Sequence, residues 1–329
     1  MVPDAAFASY YGRPVIKASP WEKDIPAYLF LGGLAAGSSL LAAGADLTGR
    51  AGLRRSGRLG AAVAVGVGSA ALVHDLGRPA RFLNMLRVAK PTSPMSVGTW
   101  ILTAYAPAAG LAAGAELRNL LPHRLGRVAG VLGALERPAG ILAALLAPAL
   151  ASYTAVLLAD TATPSWHEAH RHMPFVFVGS AAAAAGGLGV LATPADQAGP
   201  ARRMAIGGVA LELAAGHRME RAMGLAAEPL GAGVAGRLLR TSKVLLTAGS
   251  LGSALVARRS RIAAVACGVS LLAGSLCTRL AIFEAGQASA LDPKYTVVPQ
   301  RQRLESLLLA DEHACSATVQ GEPKEPSGS

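Results

Sequence analysis

The chain has 329 residues, of which 52% are hydrophobic and only 16% are charged. Soluble domains carry about 25% charged residues, so this composition excludes a disordered chain and argues against a water-soluble enzyme. The formal net charge of +11 does not indicate nucleic acid, because the basic residues lie mostly in short segments between apolar blocks, as in loops that flank membrane helices.

The apolar blocks predict transmembrane helices, since a hydrocarbon core about 30 Å thick takes roughly 20 residues per helix. Leu, Ala and Gly dominate without the alternation typical of barrel strands. We therefore expect an all-α integral membrane protein with about eight transmembrane helices. The blocks are 25–45, 59–76, 97–116, 138–159, 174–193, 203–217, 242–257 and 261–283.

The polar ends and the loops indicate the topology. Residues 1–24 contain no apolar core with a cleavage site, so no cleaved signal peptide is predicted, and the polar tail should end in disorder. Eight spans place both termini on one side. The opposite loops are short and basic, so both termini are expected on the extracytoplasmic side of the inner membrane, although loops on the terminal side also carry basic residues. The opposite loops are 46–58, 117–137, 194–202 and 258–260.

Several further features of the spans have simple structural explanations. The short apolar stretch 128–135 is predicted to be an interfacial lead-in to the fourth span, and Asp46 and Glu116 are predicted to be solvated helix ends. Closely spaced glycines let helix backbones approach one another, so they predict packing contacts and no chemistry. These glycines are Gly33, Gly37, Gly186, Gly187 and Gly189.

The segment HDLGRPARFLNML (74–86) closes the second span. Gly77 can end the helix, and Pro79 prevents its continuation. A His–Asp pair beside two arginines can exchange protons and hold an oxygen-rich headgroup. An interfacial helix cap with arginines on lipid phosphates is an equally favoured alternative. The four polar residues are His74, Asp75, Arg78 and Arg81.

The outer ends of the third and fourth spans carry further polar or aromatic residues. Trp100 suits an aromatic belt, and Tyr153 lies inside the fourth span. The loop after this span contains His167, His170 and His172, whose spacing does not match the zinc-protease motif. A solvated loop is therefore favoured over a metal site.

Two ionisable residues fall within the hydrocarbon region of the second half. Glu212 lies near the middle of the sixth span, and Arg279 lies in the last third of the eighth. A charge at the bilayer centre costs about 2.5–3.5 kcal/mol on insertion scales, so we expect Glu212 either to be protonated or to pair, for instance with Arg279. A structural ion pair and a step in a proton path remain open, and Glu284 near the outer end could extend such a path.

Four blocks, in order, resemble the NrfD/PsrC family of polysulfide-reductase-like membrane subunits. They are YYGRPVIKASPWEKDIPAYLFLGGLAAGSSLLA (10–42), HDLGRPARFLNMLRVAKPTSPMSVGTW (74–100), YTAVLLADTATPSW (153–166) and GSLCTRLAIFEAGQASALDPKYTVVPQRQR (274–303). Residues 194–260 contribute little beyond hydropathy.

The resemblance implies eight transmembrane helices in two bundles, with a quinone site in the N-terminal one. It also implies partners: a ferredoxin-like four-cluster iron–sulfur subunit, and beyond it a molybdopterin catalytic subunit of the formate dehydrogenase or polysulfide reductase type. Menaquinone or ubiquinone would be exchangeable, with no haem or iron–sulfur cluster in this chain. The three cysteines, which lack a Cys-x-x-Cys pair, agree with this expectation. The implied divisions are 1–24, 25–159 (first bundle), 160–283 (second bundle) and 284–329, with docking at 284–303.

The same resemblance implies roles for individual residues. His74 or Asp75 would handle the proton, and Arg78, with Arg81 beside it, would orient the ring carbonyl or the partner. Tyr28 and Tyr153 would donate hydrogen bonds to the quinone. The contacts with the iron–sulfur subunit would be Lys294, Tyr295 and Arg301.

Three alternatives stay open. A di-haem cytochrome b anchor needs pairs of histidines at matching depth, and only His74 and His217 come near. A secondary transporter often shows inverted repeats, and none is convincing between 25–159 and 174–283, although Pro107 could break the third span. The third alternative is a purely structural anchor.

Overall fold

The computed structural model describes residues 14–78, 80–120, 122 and 125–306, and within these ranges the chain is helical without strands. The predicted all-helical fold class is confirmed. Eight of the described helices have 20 or more residues: α1 (Asp24–Leu47), α2 (Ala51–Asp75), α4 (Pro94–Glu116), α5 (Gly126–Ala159), α7 (Met173–Ala192), α8 (Gly199–Ala222), α10 (Gly233–Leu255) and α11 (Arg261–Leu291). The shorter ones are α3 (Ala80–Leu86), α6 (Pro164–Glu168), α9 (Glu228–Gly231), α12 (294–306) and 3₁₀ turns at Arg118–Leu120 and Gly224–Ala227.

Five of the long helices are long and apolar enough to cross a membrane by length and composition: α1, α2, α5, α7 and α11. The other three do not reach this level. Helix α8 carries Glu212 in its centre and α10 carries Arg237, Arg240 and Lys243, which lowers the hydropathy of both. The number of eight spans therefore stays a prediction.

Several helices are longer than the apolar blocks from which they were predicted. Helix α2 already begins at Ala51, so most of the predicted loop 46–58 is helical. The stretch 128–135 is part of α5, whose 34 residues extend about 51 Å and exceed the hydrocarbon core. It is therefore a continuous helix and not a separate lead-in. Helix α11 continues to Leu291, beyond the predicted end of its span at 283.

The helices pack as two groups of four that share a boundary. Helices α1, α2, α4 and α5 contact one another in the first group, and α7, α8, α10 and α11 do so in the second. Helix α1 also packs on α7 and α11. A Cβ on Gly37 would lie 2.6 Å from the Ala181 carbonyl oxygen, which confirms the predicted packing role of this glycine between α1 and α7.

Side-chain hydrogen bonds show which helix ends lie together. At one end, Gln287 of α11 donates to the carbonyls of Ser19 and Trp21, and Arg303 of α12 contacts Glu168 of α6. At the other end, Gln197 accepts from the backbone of Gly52. We call these the terminal end and the opposite end.

Some predictions lie outside the described residues. They are the first half of the polar N-terminal segment (1–13), the helix stop at Pro79, Arg124 of the second basic loop and the disordered end of the tail (307–329).

Candidate functional site

Two tyrosines meet inside the first bundle, near its terminal end. Tyr28 of α1 and Tyr153 of α5 are 3% and 9% exposed, and their hydroxyl groups form a hydrogen bond with each other. Both line a cavity of about 80 Å³, whose other walls come from α2, α3 and α4. The polar side chains that line this cavity are the two tyrosines, Asp75, Thr99 and Trp21, and the remaining surface is mostly apolar.

A glycine on α4 makes room for one of these rings. A Cβ on Gly98 would lie 2.2 Å from Cε2 of Tyr153 and 3.0 Å from its Cζ. No ordinary contact is that short, so only glycine allows Tyr153 to lie against α4 in this position. Sequence reasoning missed Gly98, because a glycine in an apolar span gives no signal of which ring it faces.

Asp75 and His74 end α2 but face different surroundings. Asp75 is half-buried and lines the tyrosine cavity. The His74 side chain is 83% exposed, and its Nδ1 lies 2.6 Å from Oδ2 of Asp24 at the start of α1. Helix α2 stops where predicted, since Gly77 adopts a positive φ of 67° and its N–H donates to the His74 carbonyl.

The two predicted arginines lie on the rim and not in the cavity. Arg78 is exposed, and Arg81 is exposed with one N–H donating to the Leu76 carbonyl at 3.1 Å. Helix α3 follows, with no buried residue, and its Met85 forms part of the cavity wall. The structure therefore brings Tyr28, Tyr153 and Asp75 together, and leaves the arginines and His74 at the surface around them.

Glu212 and Arg279 are buried in the second bundle, 3% and 1% exposed, but do not pair directly. Oε1 of Glu212 accepts a hydrogen bond from the Thr278 hydroxyl at 2.5 Å. Arg279 donates to the Phe177 carbonyl at 2.7 Å, and its guanidinium lies 3.6 Å from the centroid of the Phe177 ring. Among the described residues no salt bridge joins the two side chains, so the suggested direct pairing is absent.

Some polar atoms of these two residues have no hydrogen-bond partner within the described part of the chain. They are Oε2 of Glu212 and Nε and Nη1 of Arg279. A cavity of about 30 Å³, roughly the volume of one water molecule, adjoins Glu212 and leads towards Glu220 and Lys243 near the terminal end. Glu284 is half-buried on α11, five residues after Arg279.

The predicted docking residues lie on α12, at the terminal end. Nζ of Lys294 forms a salt bridge of 2.5 Å with Glu228 of α9, and the Tyr295 hydroxyl donates to the same carboxylate. The hydrogen bond from Lys294 lowers the pKa of Glu228, and the same bond raises the pKa of Lys294. Arg301 is exposed. A groove of about 610 Å³ runs beside α12, between it and the segments around Thr161 and Leu225.

The segment between α5 and α7 was predicted to be a solvated loop. Part of it is instead the short, partly buried helix α6. Trp166 of the short helix α6 is 1% exposed, and its indole N–H donates to the Ile282 carbonyl at 2.8 Å. His167 and His170 are both exposed, and Nδ1 of His167 lies 3.1 Å from the Ala159 carbonyl oxygen. In the described ranges, no group of three His, Cys, Asp or Glu residues could hold a metal ion.

Charged side chains at the opposite end form a cluster that the sequence did not predict. Arg58 of α2 is 4% exposed and binds Glu116 of α4 at 2.9 Å and Glu136 of α5 at 2.8 Å. Arg54 binds Glu116 at 2.7 Å and Asp46 at 3.2 Å. The Glu116 side chain is only 7% exposed, so the interpretation of Glu116 as a solvated helix end is wrong, and Asp46, which is paired, is not simply solvated either. We call Arg54, Arg58, Arg118, Asp46, Glu116 and Glu136 the arginine–carboxylate cluster.

A signal for this cluster was present in the sequence. Three acidic residues stand at or near the opposite ends of three predicted spans, and Arg54 and Arg58 are four residues apart, on one face if that segment is helical. Because 46–58 was predicted to be a loop, the four-residue spacing of Arg54 and Arg58 did not indicate a shared helix face.

The fold and the site together define a multi-pass helical membrane protein with a phenol-lined cavity at the terminal end of its first bundle. The sequence profile of the polysulphide reductase NrfD family matches residues 15–203, which is more than half of the chain. The chain therefore belongs to the NrfD polysulphide reductase family. The match covers the whole first bundle and ends shortly after the start of α8. No curated protein compared with the chain matches it.

Members of this family are membrane subunits of polysulfide-reductase-like oxidoreductase complexes. In general they associate with iron–sulfur and molybdopterin subunits. The family and the apolar helices together make this chain a multi-pass membrane protein.

Proposed function

We propose that this chain is the quinone-reactive subunit of a respiratory complex in the inner membrane, which exchanges electrons between an iron–sulfur partner and the quinone pool. One observation carries the proposal: Tyr28, Tyr153 and Asp75 converge on one mostly apolar cavity. That cavity lies at the end of the molecule where α12 and its groove offer a surface to a partner.

The groups around the cavity fit a quinone ring. Bound menaquinone or ubiquinone supplies two-electron chemistry that is coupled to two protons. The phenols of Tyr28 and Tyr153 can donate hydrogen bonds to a ring carbonyl, and Asp75 can hold or deliver a proton at its carboxylate. Leu72, Leu102 and Leu157 in the wall exclude water from these groups.

The size of the cavity implies a movement at its rim. Small-molecule sites usually measure roughly 300–1,000 Å³, whereas this cavity holds about 80 Å³. Helix α3 is the element best suited to move, because none of its residues is buried while Met85 closes one wall. In the proposal α3 opens to admit the ring, and Arg78 and Arg81 at the rim contact the ring or the partner.

The partner in this proposal is a ferredoxin-like four-cluster iron–sulfur subunit, followed by a molybdopterin subunit of the formate dehydrogenase or polysulfide reductase type. It binds over the groove beside α12, with Arg301 as an exposed contact. Lys294 and Tyr295 act through Glu228, because the contacts with this carboxylate fix α12 against α9. In the proposal the terminal end is the extracytoplasmic face, because the short connections at the opposite end carry basic residues, among them Arg50, Arg258 and Arg259.

The second bundle offers a route for protons within the same proposal. Glu212 is buried, has an unpartnered oxygen and adjoins a small cavity that leads towards the surface pair of Glu220 and Lys243. Arg279 compensates its charge, and Glu284 lies farther along α11. We expect Glu212→Gln to abolish charge movement across vesicle membranes, measured with a potential-sensitive dye, while quinone reduction continues. Charge movement as in the wild type would remove Glu212 from the route.

The central test compares two activities of the whole complex in the membrane. Asp75→Asn and Arg78→Ala should each abolish quinone-linked turnover, while the catalytic partner still reduces an artificial dye. For Asp75→Asn the rate should fall at least about 100-fold, because a proton-transfer group is lost. Asp196→Asn is the matched control, because Asp196 is exposed at the opposite end, away from the tyrosine cavity and the groove. It should leave both activities unchanged.

Two results would point to other functions. Unchanged quinone rates in the Asp75 and Arg78 variants would leave a purely structural anchor. A haem spectrum of the purified protein would favour a cytochrome b anchor, although His74 and His217 are both exposed and not in the bundle interior. Solute uptake by vesicles that contain this chain alone would favour a transporter.

A further inference from the structure

A second, larger cavity lies between α1, α2, α4 and α5 near the opposite end of the first bundle, far along α2 from Asp75. Its volume of about 410 Å³ is in the range of sites that bind small organic molecules. The proposed quinone function does not use it.

The walls of this cavity suit a hydrocarbon chain. They are formed mainly by alanines from four helices, together with Gly140, Leu47 and Ile141. Leu47 and Ile141, which line it from α1 and α5, are 88% and 58% exposed, so the cavity opens sideways towards the lipid phase. On α1 it reaches from Leu47 to Ser39, a depth of roughly 12 Å at 1.5 Å per residue.

The polar end of the cavity has a surplus positive charge. The arginine–carboxylate cluster contains three arginines and three carboxylates, so its formal charges cancel. Arg137 also lines the cavity but takes part in none of the salt bridges among the described residues. Arg58 and Asp46 line the same end, but they lie 3.8 Å apart and compensate each other within the cluster, so Arg137 is the surplus charge. The surplus charge of Arg137 at the polar end of an apolar cavity therefore favours an anion with a hydrocarbon tail.

We propose that this cavity binds an anionic phospholipid. The phosphate lies against Arg137, because a guanidinium group matches phosphate oxygens in a pair of hydrogen bonds. One acyl chain enters between α1 and α5 and lies along the alanines. A zwitterionic headgroup fits less well, since its own cation would lie near Arg137, while the carboxylate of Asp46 is already paired with Arg54 and Arg58. The bound lipid closes the side of the bundle.

The test uses the full-length protein, delipidated in mild detergent and titrated with phosphatidylglycerol, phosphatidylcholine or inorganic phosphate. Native mass spectrometry measures occupancy. We expect phosphatidylglycerol to bind best, and Arg137→Gln to weaken it about tenfold through loss of a charged hydrogen bond. Arg127→Gln is the matched control, since Arg127 is exposed on the same helix but does not line the cavity. Ala43→Phe, which fills the mouth, should abolish binding of either lipid, whereas Leu40→Phe should not.

Several outcomes would overturn the proposal. They are equal binding of the two lipids, equal weakening by Arg137→Gln and Arg127→Gln, or occupancy by inorganic phosphate equal to that by phosphatidylglycerol. A quinone retained in place of phospholipid, and lost on Ala43→Phe substitution, would also overturn it. Because Arg137 is exposed, Arg137→Gln should fold. It therefore tests the proposal even if Ala43→Phe fails to fold.

Discussion

The position of Tyr153 depends on the missing side chain of Gly98, so Gly98→Ala should disturb the tyrosine cavity directly. The new methyl group would lie 2.2 Å from Cε2 of the Tyr153 ring, and the ring must retreat by about 1 Å to restore a contact of 3.4 Å or more. The ring is 9% exposed and bonded to Tyr28, so the retreat breaks this hydrogen bond or separates α4 from α5.

The expected magnitudes follow from this crowding. Inserting a methyl group into a packed core costs roughly 1–3 kcal/mol, so thermal unfolding in detergent should shift to lower temperature. A misplacement of about 1 Å at a reacting site can cost about 100-fold in rate. Quinone-linked turnover of the complex should therefore fall by about one to two orders of magnitude, while dye reduction by the partner continues.

Gly110 provides the control on the same helix. A Cβ there would meet nothing within 4 Å, so Gly110→Ala should keep both stability and activity. If Gly98→Ala proved as stable and as active as Gly110→Ala, the assignment of Tyr153 to a position that excludes a Cβ would be refuted. If Gly98→Ala lost stability but kept full quinone activity, the contact of Gly98 with Tyr153 would matter for packing and not for quinone turnover.

Two further predictions concern ion pairs. Glu116→Gln should lower the free energy of unfolding by about 2 kcal/mol, since the buried Arg58 loses one charged partner and keeps Glu136. Glu220→Gln at an exposed pair should cost less than about 1 kcal/mol. Equal losses in denaturant titrations would contradict this. The Lys294 hydrogen bond keeps the pKa of Glu228 below its ordinary 4.5, so the contact is fully formed above that value and is lost as the pH falls through the lowered pKa. The distance between spin labels on α9 and α12 should therefore increase in acid. In Lys294→Met it should be increased even at neutral pH. If this variant showed the same change of distance with pH as the wild type, the contact would not be its cause.

Much of the candidate site could be predicted as a set of residue types, but not as a geometry. The end of α2 before Gly77 followed from local chain chemistry, and His74 or Asp75 was predicted as a proton-handling group beside it. Whether Asp75 or His74 faces the bundle depends on the rotation of α2, which the sequence does not fix. The structure turns Asp75 to the cavity and His74 to Asp24.

The fold shows the same division. Long runs of Ala, Leu and Gly with few charges determined by themselves that the chain forms helices in lipid, because unpaired backbone groups are too costly in hydrocarbon. The family resemblance also lay in contiguous blocks of sequence. Apolar side chains, however, are interchangeable along a span, so the sequence could not say where a helix with charged ends begins.

Only the tertiary structure decided which polar groups meet. Arg58 pairs with Glu116 and Glu136 of two other helices, 58 and 78 positions farther along the chain, and this pairing follows from the depth and rotation of each helix. Glu212 and Arg279 could be predicted as buried, but their actual partners, Thr278 and Phe177, depend on close packing between α7, α8 and α11. The sequence thus determined the medium and the secondary structure through local composition. The contacts that define the sites depend on long-range packing, and local composition does not determine which distant residues meet.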